Sequence, residues 1–286
     1  MARAYWEIVM MKNTRPLLAA PAVLLLAACA GMGTEIPSWG PDLVAVTASN
    51  KLITFNHGNP GTLDSSVAIS GLKSGENVVG IDYRPSDGKL YGLGSSGELY
   101  QLDVRSGAAT PKAALHGAAG DAYTALNGSA YGFSFNPVDG QLRVISDAGQ
   151  NLSIDVDSGT VRSDASVDSS KVNVVAAAYT TQPNGPFQTT LYALNSKSGE
   201  IASSLAPQSG KLLAVGALGA DIGKPAGFDI SGNESTGVAY AATAAPDATA
   251  SKLYLVKLSA GSVKSLGTIG GKEKVSGLAI RPGLDV

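Results

Sequence analysis

GIDYRP at residues 80–85 is followed 52 residues later by the related segment GFSFNP at residues 132–137. Three further copies of this segment follow, at successive intervals of 44, 51 and 50 residues: AAAYT (176–180), GFDIS (227–231) and GLAIRP (277–282). Four of the five copies alternate apolar side chains with small or polar ones. This period of two is typical of a β-strand and not of a helix. The repeat therefore predicts five related strands, which we call the inner strands.

Three more strand-like segments follow most of the inner strands. After the first copy they are KLYGLG (89–94), GELYQLD (97–103) and AATPKAAL (108–115). The turns between the third and fourth segments end in glycine at positions 107, 159, 210 and 261, and glycine adopts backbone angles that other residues resist. Four strands in about 50 residues, with no helical period, indicate the blades of a β-propeller.

The two ends of the repeat region complement each other. LVAVTAS (43–49), KLITFN (51–56) and LDSSVAIS (63–70) match the second, third and fourth strands of a blade, whereas VSGLAIRP (275–282) is an inner strand with no blade after it. The sequence therefore predicts an all-β propeller of five four-stranded blades, closed by a blade that both ends share. The predicted blades are 43–70 with 275–282, 78–116, 129–168, 172–216 and 225–270. A sixth blade is the alternative, but residues 117–128 are too few to form one.

The N-terminal region has the layout of a secretory signal. Lys12 and Arg15 precede an apolar run from Leu17 to Ala28, which is too short to span a bilayer. The run ends in LAAC (26–29), which resembles the lipobox of bacterial lipoproteins. We expect a signal peptide over 1–28 with Met11 as the true start, a lipid on Cys29, a tether over 29–42 and one propeller domain over 43–286. An ordinary signal peptide with an incidental Cys is the alternative.

Composition narrows the classes of partner. The 286 residues include 21 Lys and Arg against 23 Asp and Glu, a net charge of −2, and a single Cys. This balance argues against nucleic-acid binding, and one Cys cannot form a disulfide framework. An acidic domain gains nothing from an anionic membrane surface, so we expect the lipid to attach it. Ala30 follows the Cys, and by resemblance to the sorting rule of enteric bacteria this favours the outer membrane. The expected location is the bacterial cell envelope.

Three longer phrases carry a family resemblance. GIDYRPSDGKLYGLGSSGELYQLD, GFSFNPVDGQLRVISDAGQNLSID and TTLYALNSKSGE resemble a bacterial family defined by domain of unknown function 4394, over about residues 43–282. The resemblance implies a secreted or lipid-anchored all-β domain and supplies no catalytic residues. More loosely, the blades are similar to those of YVTN and NHL propellers, which are mostly binding platforms.

Two acids are the candidate ligand-binding residues. Asp82 and Asp229 occupy the third position of their inner strands, which line the central channel of a propeller. The fifth position holds Arg84, Asn136 and Arg281, which complete the candidate set. The alternative is structural: each Asp accepts hydrogen bonds from neighbouring backbone or from these arginines. Five-bladed glycosidases use inner-strand carboxylates as acid and base, but only two acids share this position.

Other chemistry has little support in the sequence. His57 and His116 are the only histidines and are expected to be solvated turn residues, so we predict no metal site, no catalytic residue and no cofactor. The predicted function is a lipid-anchored binding or scaffold module, monomeric, with a protein or glycan ligand and no nucleic acid. The alternative is an envelope hydrolase of glycans or lactones acting at the channel mouth.

Overall fold

The computed structural model describes residues 42–181 and 189–283. The expected signal peptide, Cys29, all of the tether except Asp42 and most of the loop at 181–189 lie outside these residues. Within the described ranges, no helix has both the length and the apolar character needed to cross a membrane.

Five sheets follow one another along the described chain, and each is one blade. The first blade begins with β1 (Leu43–Thr47), β2 (Lys51–Phe55) and β3 (Leu63–Ala68). The second contains β4 (Val78–Tyr83), β5 (Leu90–Gly94), β6 (Glu98–Leu102) and β7 (Ala109–Ala114). The third contains β8 (His116–Gly117), β9 (Tyr131–Phe135), β10 (Leu142–Ser146), β11 (Asn151–Ile154) and β12 (Thr160–Ser163).

The remaining strands complete the ring. The fourth blade contains β13 (Val174–Tyr179), β14 (Leu191–Asn195), β15 (Glu200–Ser204), the 3₁₀ helix η1 (Pro207–Ser209) and β16 (Leu213–Ala217). The fifth contains β17 (Gly227–Ser231), β18 (Val238–Thr243), β19 (Lys252–Lys257) and β20 (Ser262–Thr268), and β21 (Val275–Ile280) follows it. The protein is therefore an all-β, five-bladed β-propeller, as its repeats predict.

The first blade is built from both ends of the described chain. β21 pairs antiparallel with β1, so that the sheet order is β21-β1-β2-β3. Leu43 lies opposite Ile280, and Ala45 lies opposite Leu278. The inner strand of this blade thus comes from the C-terminal side of the domain, which confirms the predicted closure. The pairing satisfies the backbone groups along one side of β1, which would otherwise be an open edge.

The third blade departs from the predicted four strands. The two-residue strand β8 runs parallel to β12, with His116 opposite Thr160, and forms a fifth, outermost strand. The predicted boundary at residue 116 therefore assigned His116 to the wrong sheet. The cause is a close contact between blades. Gly159 has a φ of 78°, and a Cβ built on it would lie 2.4 Å from the carbonyl oxygen of Ala114. The chain that leaves β7 can therefore run directly against the turn before β12.

The hydrophobic core lies between the blades. Five clusters of buried side chains each draw residues from two neighbouring blades. Tyr192 of the fourth blade packs in one cluster with Phe228 of the fifth, and Leu278 packs in another with Tyr240. Burying one such side chain stabilises a fold by roughly 1.5–3 kcal/mol. Each of the five interfaces between neighbouring blades therefore stabilises the ring.

Glycine at the first position of four of the five inner strands lets neighbouring strands approach closely. A Cβ on Gly80 would lie 2.6 Å from Cβ of Phe133, and one on Gly132 would lie 2.5 Å from Cβ of Ala177. Real Cβ atoms do not approach so closely, because the two atoms would overlap. A larger residue at either position would therefore push the closely packed strands apart. Around the N-terminal halves of the inner strands the channel is therefore almost closed, with a space of only about 10 Å³.

Candidate ligand-binding site at the channel mouth

The C-terminal ends of all five inner strands surround a cavity of about 200 Å³. Asp82, Ser134 and Asp229 line it, each from the third position of its strand, and all three side chains are buried. Because the channel nearly closes at the other half of the strands, the cavity is a pocket with a polar floor. The repeat register brings the two predicted acids to this pocket.

The three floor residues tie three of the five inner strands to the strand that follows each around the ring. The side chain at the third position accepts a hydrogen bond from the N–H at the fourth position of the following inner strand. The bonds run from Phe135 N to Asp82 Oδ2 (2.8 Å), from Tyr179 N to Ser134 Oγ (3.1 Å) and from Ile280 N to Asp229 Oδ2 (2.6 Å). An N–H at the inner edge of a blade has no further strand to pair with, and leaving it buried without an acceptor is costly.

The same acids also satisfy the other two strands. The inner strands of the fourth and first blades carry alanine at the third position, so they offer no acceptor to the strand that follows. There the N–H of Ile230 binds Oδ1 of Asp229 at 2.7 Å, and the N–H of Tyr83 binds the carboxylate of Asp82. Three polar side chains thus cap five inner-edge N–H groups. Both acids thus accept hydrogen bonds from neighbouring backbone.

Burial changes the protonation of both acids. Burial raises the pKa of Asp82 to about 7, although hydrogen bonds from Phe135 and Ser134 act in the opposite direction. The pKa of Asp229 is raised well above its ordinary value by burial and then by the negative charge of Asp82. Near neutral pH the two carboxyl groups therefore do not both carry a full charge.

The two candidate arginines each have a side-chain partner outside the floor of the pocket. Both guanidinium-bearing residues line the cavity, but Arg84 donates to the two carboxylate oxygens of Asp157 in the third blade, at 3.1 and 2.8 Å. Arg281 forms a hydrogen bond with Tyr83. The lining of the pocket therefore combines the two acids with Tyr83 and the two arginines.

Asn136 is the one member of the candidate set that is not part of the pocket lining. Its Oδ1 accepts the backbone N–H of Val138 at 2.9 Å, which stabilises its own turn. Ser134, Tyr83 and Tyr179 line the pocket, and the candidate set did not include them. The available signal was their place in the repeat: Ser134 holds the third position, which the acids hold in two other copies, and the two tyrosines hold the fourth position.

The two histidines differ in their exposure to solvent. His116 is exposed, as expected, but it lies in strand β8 and not in a turn. His57 is half-buried: its Nδ1 bonds the carboxylate of Asp42, and its ring centroid lies 5.4 Å from that of Tyr240. His57 does lie in a turn, but the expectation that it is solvated was wrong, because Tyr240 of β18 packs beside its ring. Among the residues that the structure describes, no three His, Cys, Asp or Glu side chains are grouped so that they could hold a metal ion.

Comparison with known proteins gives a family and two structural likenesses. Residues 51–279 match the sequence model of Domain of unknown function (DUF4394). No curated protein matches the chain. TolB from Acinetobacter baumannii is similar over 84% of this chain, at 11% identity and a TM-score of 0.40. The computationally designed Ika8 protein is similar over 82%, at 14% identity and a TM-score of 0.32. The chain covers 66% and 64% of those two chains. Since the family match extends over most of its length, the chain belongs to the DUF4394 family.

Proposed function

We propose that this protein is a binding module of the bacterial envelope, anchored by a lipid on Cys29, which takes a small polar ligand into the pocket at its channel mouth. One observation carries the binding role: all five inner strands contribute to a single cavity of about 200 Å³ with a polar floor. Ligand sites are typically concave and largely preformed, with a few convergent polar groups.

The pocket is supported by a rigid frame. Its floor residues are held by hydrogen bonds that run between blades, such as those from Phe135 to Asp82 and from Ile280 to Asp229. Side chains fixed in this way lose little conformational freedom when a ligand arrives, so less of the interaction energy is spent on ordering them. This preorganisation favours recognition of a small molecule at the pocket.

A hydrolase of glycans or lactones is the second candidate. It is favoured by the pKa of Asp82, which burial raises to about 7, in the range of a general acid. Glycoside hydrolysis needs one carboxyl group that donates a proton and another that attacks the sugar or activates water. Each carboxyl group here accepts two backbone N–H groups, which direct its oxygens toward the strands. This geometry supports binding more strongly than catalysis.

The envelope location rests on the sequence. The lipobox-like segment ending at Cys29 follows a charged and then apolar stretch. Ala30 after the Cys supports delivery to the outer membrane. A lipid would supply the membrane affinity that an acidic domain lacks, since stable anchoring comes from buried acyl chains. The proposed partners are therefore the membrane, through the lipid, and a small ligand in the propeller.

A ligand screen with a blocked pocket tests the binding role. Ser231→Tyr would place a bulky side chain in the pocket from the end of β17, and Ser262→Tyr is the matched control on the exposed β20 of the same blade. We expect sugars, amino acids or amines from a panel to raise the Tm of the wild type and the control, and not of Ser231→Tyr. A panel that leaves the wild-type Tm unchanged, or that shifts Ser231→Tyr equally, would refute the binding role. Turnover of chromogenic glycosides or lactones would favour the second candidate.

A further inference from the structure

We infer that two copies of this protein associate through β16, the outermost strand of the fourth blade, which pairs antiparallel with β16 of the second copy. The inference concerns the outer side of the ring and does not depend on the proposed binding function. It starts from an apolar strand edge that the described part of the chain leaves without a partner.

The outer side of β16 is open. β16 is the last strand of its sheet, and β15 is the only strand of the described chain that pairs with it. The next blade approaches β16 at its C-terminal half, where a Cβ built on Gly216 would lie 2.4 Å from the carbonyl oxygen of Ala260. At the N-terminal half, Leu213 and Ala214 are both exposed. An open edge presents N–H and C=O groups to which another strand can add, so this half is available for pairing.

Two exposed leucines lie beside this edge. Leu213 is 72% exposed. Leu205, which is 74% exposed, lies two residues past Ser203, the partner of Leu213 on β15. Among the described residues these are the two most exposed large apolar side chains. Since removal of apolar surface from water drives association, a partner that covers both leucines would be favoured.

The other outer strands have features that oppose the addition of a strand. Charged side chains, proline and a covering strand all protect an edge in this way. The features are Asp64 in β3, Pro111 and Lys112 in β7, Lys264 in β20 and the strand β8, which covers β12. β16 reads LAVGA and has neither a charge nor a proline, although it has a bulge like three of the others. Among the outer strands of the described chain, β16 is therefore the one best suited to pairing.

Charge favours a second copy as the partner, in the antiparallel direction. Lys211 lies just before β16, and Glu200 lies opposite Ala217 at the other end of the strand. Within the described chain, neither charge takes part in an ion pair. Antiparallel pairing of identical strands places the basic end of each copy toward the acidic end of the other, whereas parallel pairing would bring like charges together. Such an interface is symmetric and closes at two copies.

The size of the contact sets its strength. Stable protein interfaces bury about 1,200 Å² or more, and the pairing of one short strand edge covers less than this. We therefore expect a reversible dimer that forms as the protein concentration rises. This dimer differs from the monomer expected from the sequence.

Sedimentation velocity over a range of protein concentrations tests the inference. The purified full-length protein, in a non-ionic detergent, should change from monomer to dimer as its concentration rises. Leu213→Lys should weaken the dimer about tenfold or more, because each copy loses an apolar contact and two like charges face each other. Ser265→Lys, at an exposed position on the outer strand β20, is the matched control and should dimerise like the wild type. A wild type that stays monomeric, or a Leu213→Lys variant that dimerises equally well, would overturn the inference.

Hydrogen exchange of the wild type at low and high concentration locates the contact without any variant. The amides of residues 211–217 should exchange more slowly at high concentration, and those of β20 should not change. A dimer without this protection would use another surface and would overturn the inference. Protection that appears only after an unrelated extended peptide is added would make a partner segment the occupant, and would also overturn it. Each of these outcomes leaves the proposed binding function of the pocket untouched.

Discussion

The carboxylate of Asp229 accepts the backbone N–H of Ile280 at 2.6 Å, across the junction between the fifth blade and the strand that closes the ring. The equivalent bond from Phe135 to Asp82 joins the second and third blades. These acids therefore hold neighbouring inner strands together at the same place where they form the floor of the pocket. A change at either position should alter stability and ligand binding together.

The first prediction concerns the dependence of stability on pH. The pKa of Asp82 is raised from 3.8 to about 7 by burial, so between about pH 4 and pH 7 the folded state binds more protons than the unfolded chain. The free energy of unfolding should therefore decrease as pH rises through this window, by at most about 1.4 kcal/mol per pH unit for each proton. Asp82→Asn should remove part of this slope. Urea denaturation of both proteins from pH 4.5 to pH 7.5 measures it, and parallel curves would contradict the assignment.

The second prediction concerns Ser134, whose hydroxyl oxygen accepts the N–H of Tyr179 at 3.1 Å. Ser134→Ala should lower the free energy of unfolding by about 1–3 kcal/mol, because a buried N–H would lose its acceptor. It should also raise the pKa of Asp82 further, since the serine hydroxyl lowers that pKa. Ser259→Ala, at an exposed position, is the control for denaturation. Equal stability of the two variants would mean that the inner-edge N–H groups do not need these acceptors.

The third prediction concerns the close approach of the inner strands. A Cβ on Gly227 would lie 2.7 Å from both Cβ and the backbone N of Leu278. Gly227→Ala should therefore cost about 1–3 kcal/mol through overpacking, because backbone as well as side chain must move. At Gly61 the nearest atom to a built Cβ is 3.7 Å away, so Gly61→Ala is the matched control. Thermal melting compares them, and a Gly227→Ala protein that melts with the control would show that the ring is not tightly packed there.

The fourth prediction concerns closure. Ending the chain before Val275 would remove β21 and leave β1 without its inner partner. Leu278 and its neighbours would no longer fill the cluster between the fifth and first blades. Each such aliphatic side chain contributes roughly 1.5–3 kcal/mol, against a typical total stability of 5–15 kcal/mol. We expect aggregation or a strongly lowered Tm, measured by calorimetry. A truncated protein that melts like the full chain would rule out this closure as the source of stability.

The fifth prediction concerns the anchor. If Cys29 carries the lipid, Cys29→Ser should move the protein from the membrane fraction to the soluble fraction, because the acyl chains supply the membrane affinity. Fractionation of cells that express each form, followed by immunoblotting, measures the distribution. Cys29→Ala serves as a second substitution of the same thiol. Equal membrane retention of the wild type and both variants would refute the lipid anchor.

Much of the fold could be predicted because the sequence repeats the strand pattern of one blade several times. Four of the five copies of the inner strand alternate apolar residues with small or polar ones, and this local pattern selects strands directly. The ends could be matched because β1 and β21 are complementary parts of one repeat. The addition of β8 to the third blade could not be predicted, since it depends on how closely the turn at Gly159 approaches Ala114 of the preceding blade.

Only part of the candidate site could be predicted from the sequence. Register alone predicted that Asp82 and Asp229 would meet at the channel, since equivalent positions in a ring face the same axis. Register could not say that Asn136 would bond its own turn or that Arg84 would bond Asp157, because side-chain direction depends on neighbours from other blades. The same dependence explains why His57 is covered by Tyr240.

By itself, the sequence determined the all-β class, the number of blades, the closure by two complementary ends and the position of the two acids, because each follows from a local period or from a repeated register. Only the tertiary structure decided that the channel narrows at one end and widens into a pocket at the other. It also decided that Asp82 and Asp229 are buried and accept hydrogen bonds from the backbone of neighbouring inner strands. Burial and charge balance depend on atoms that lie far apart in the chain and meet only when the blades pack.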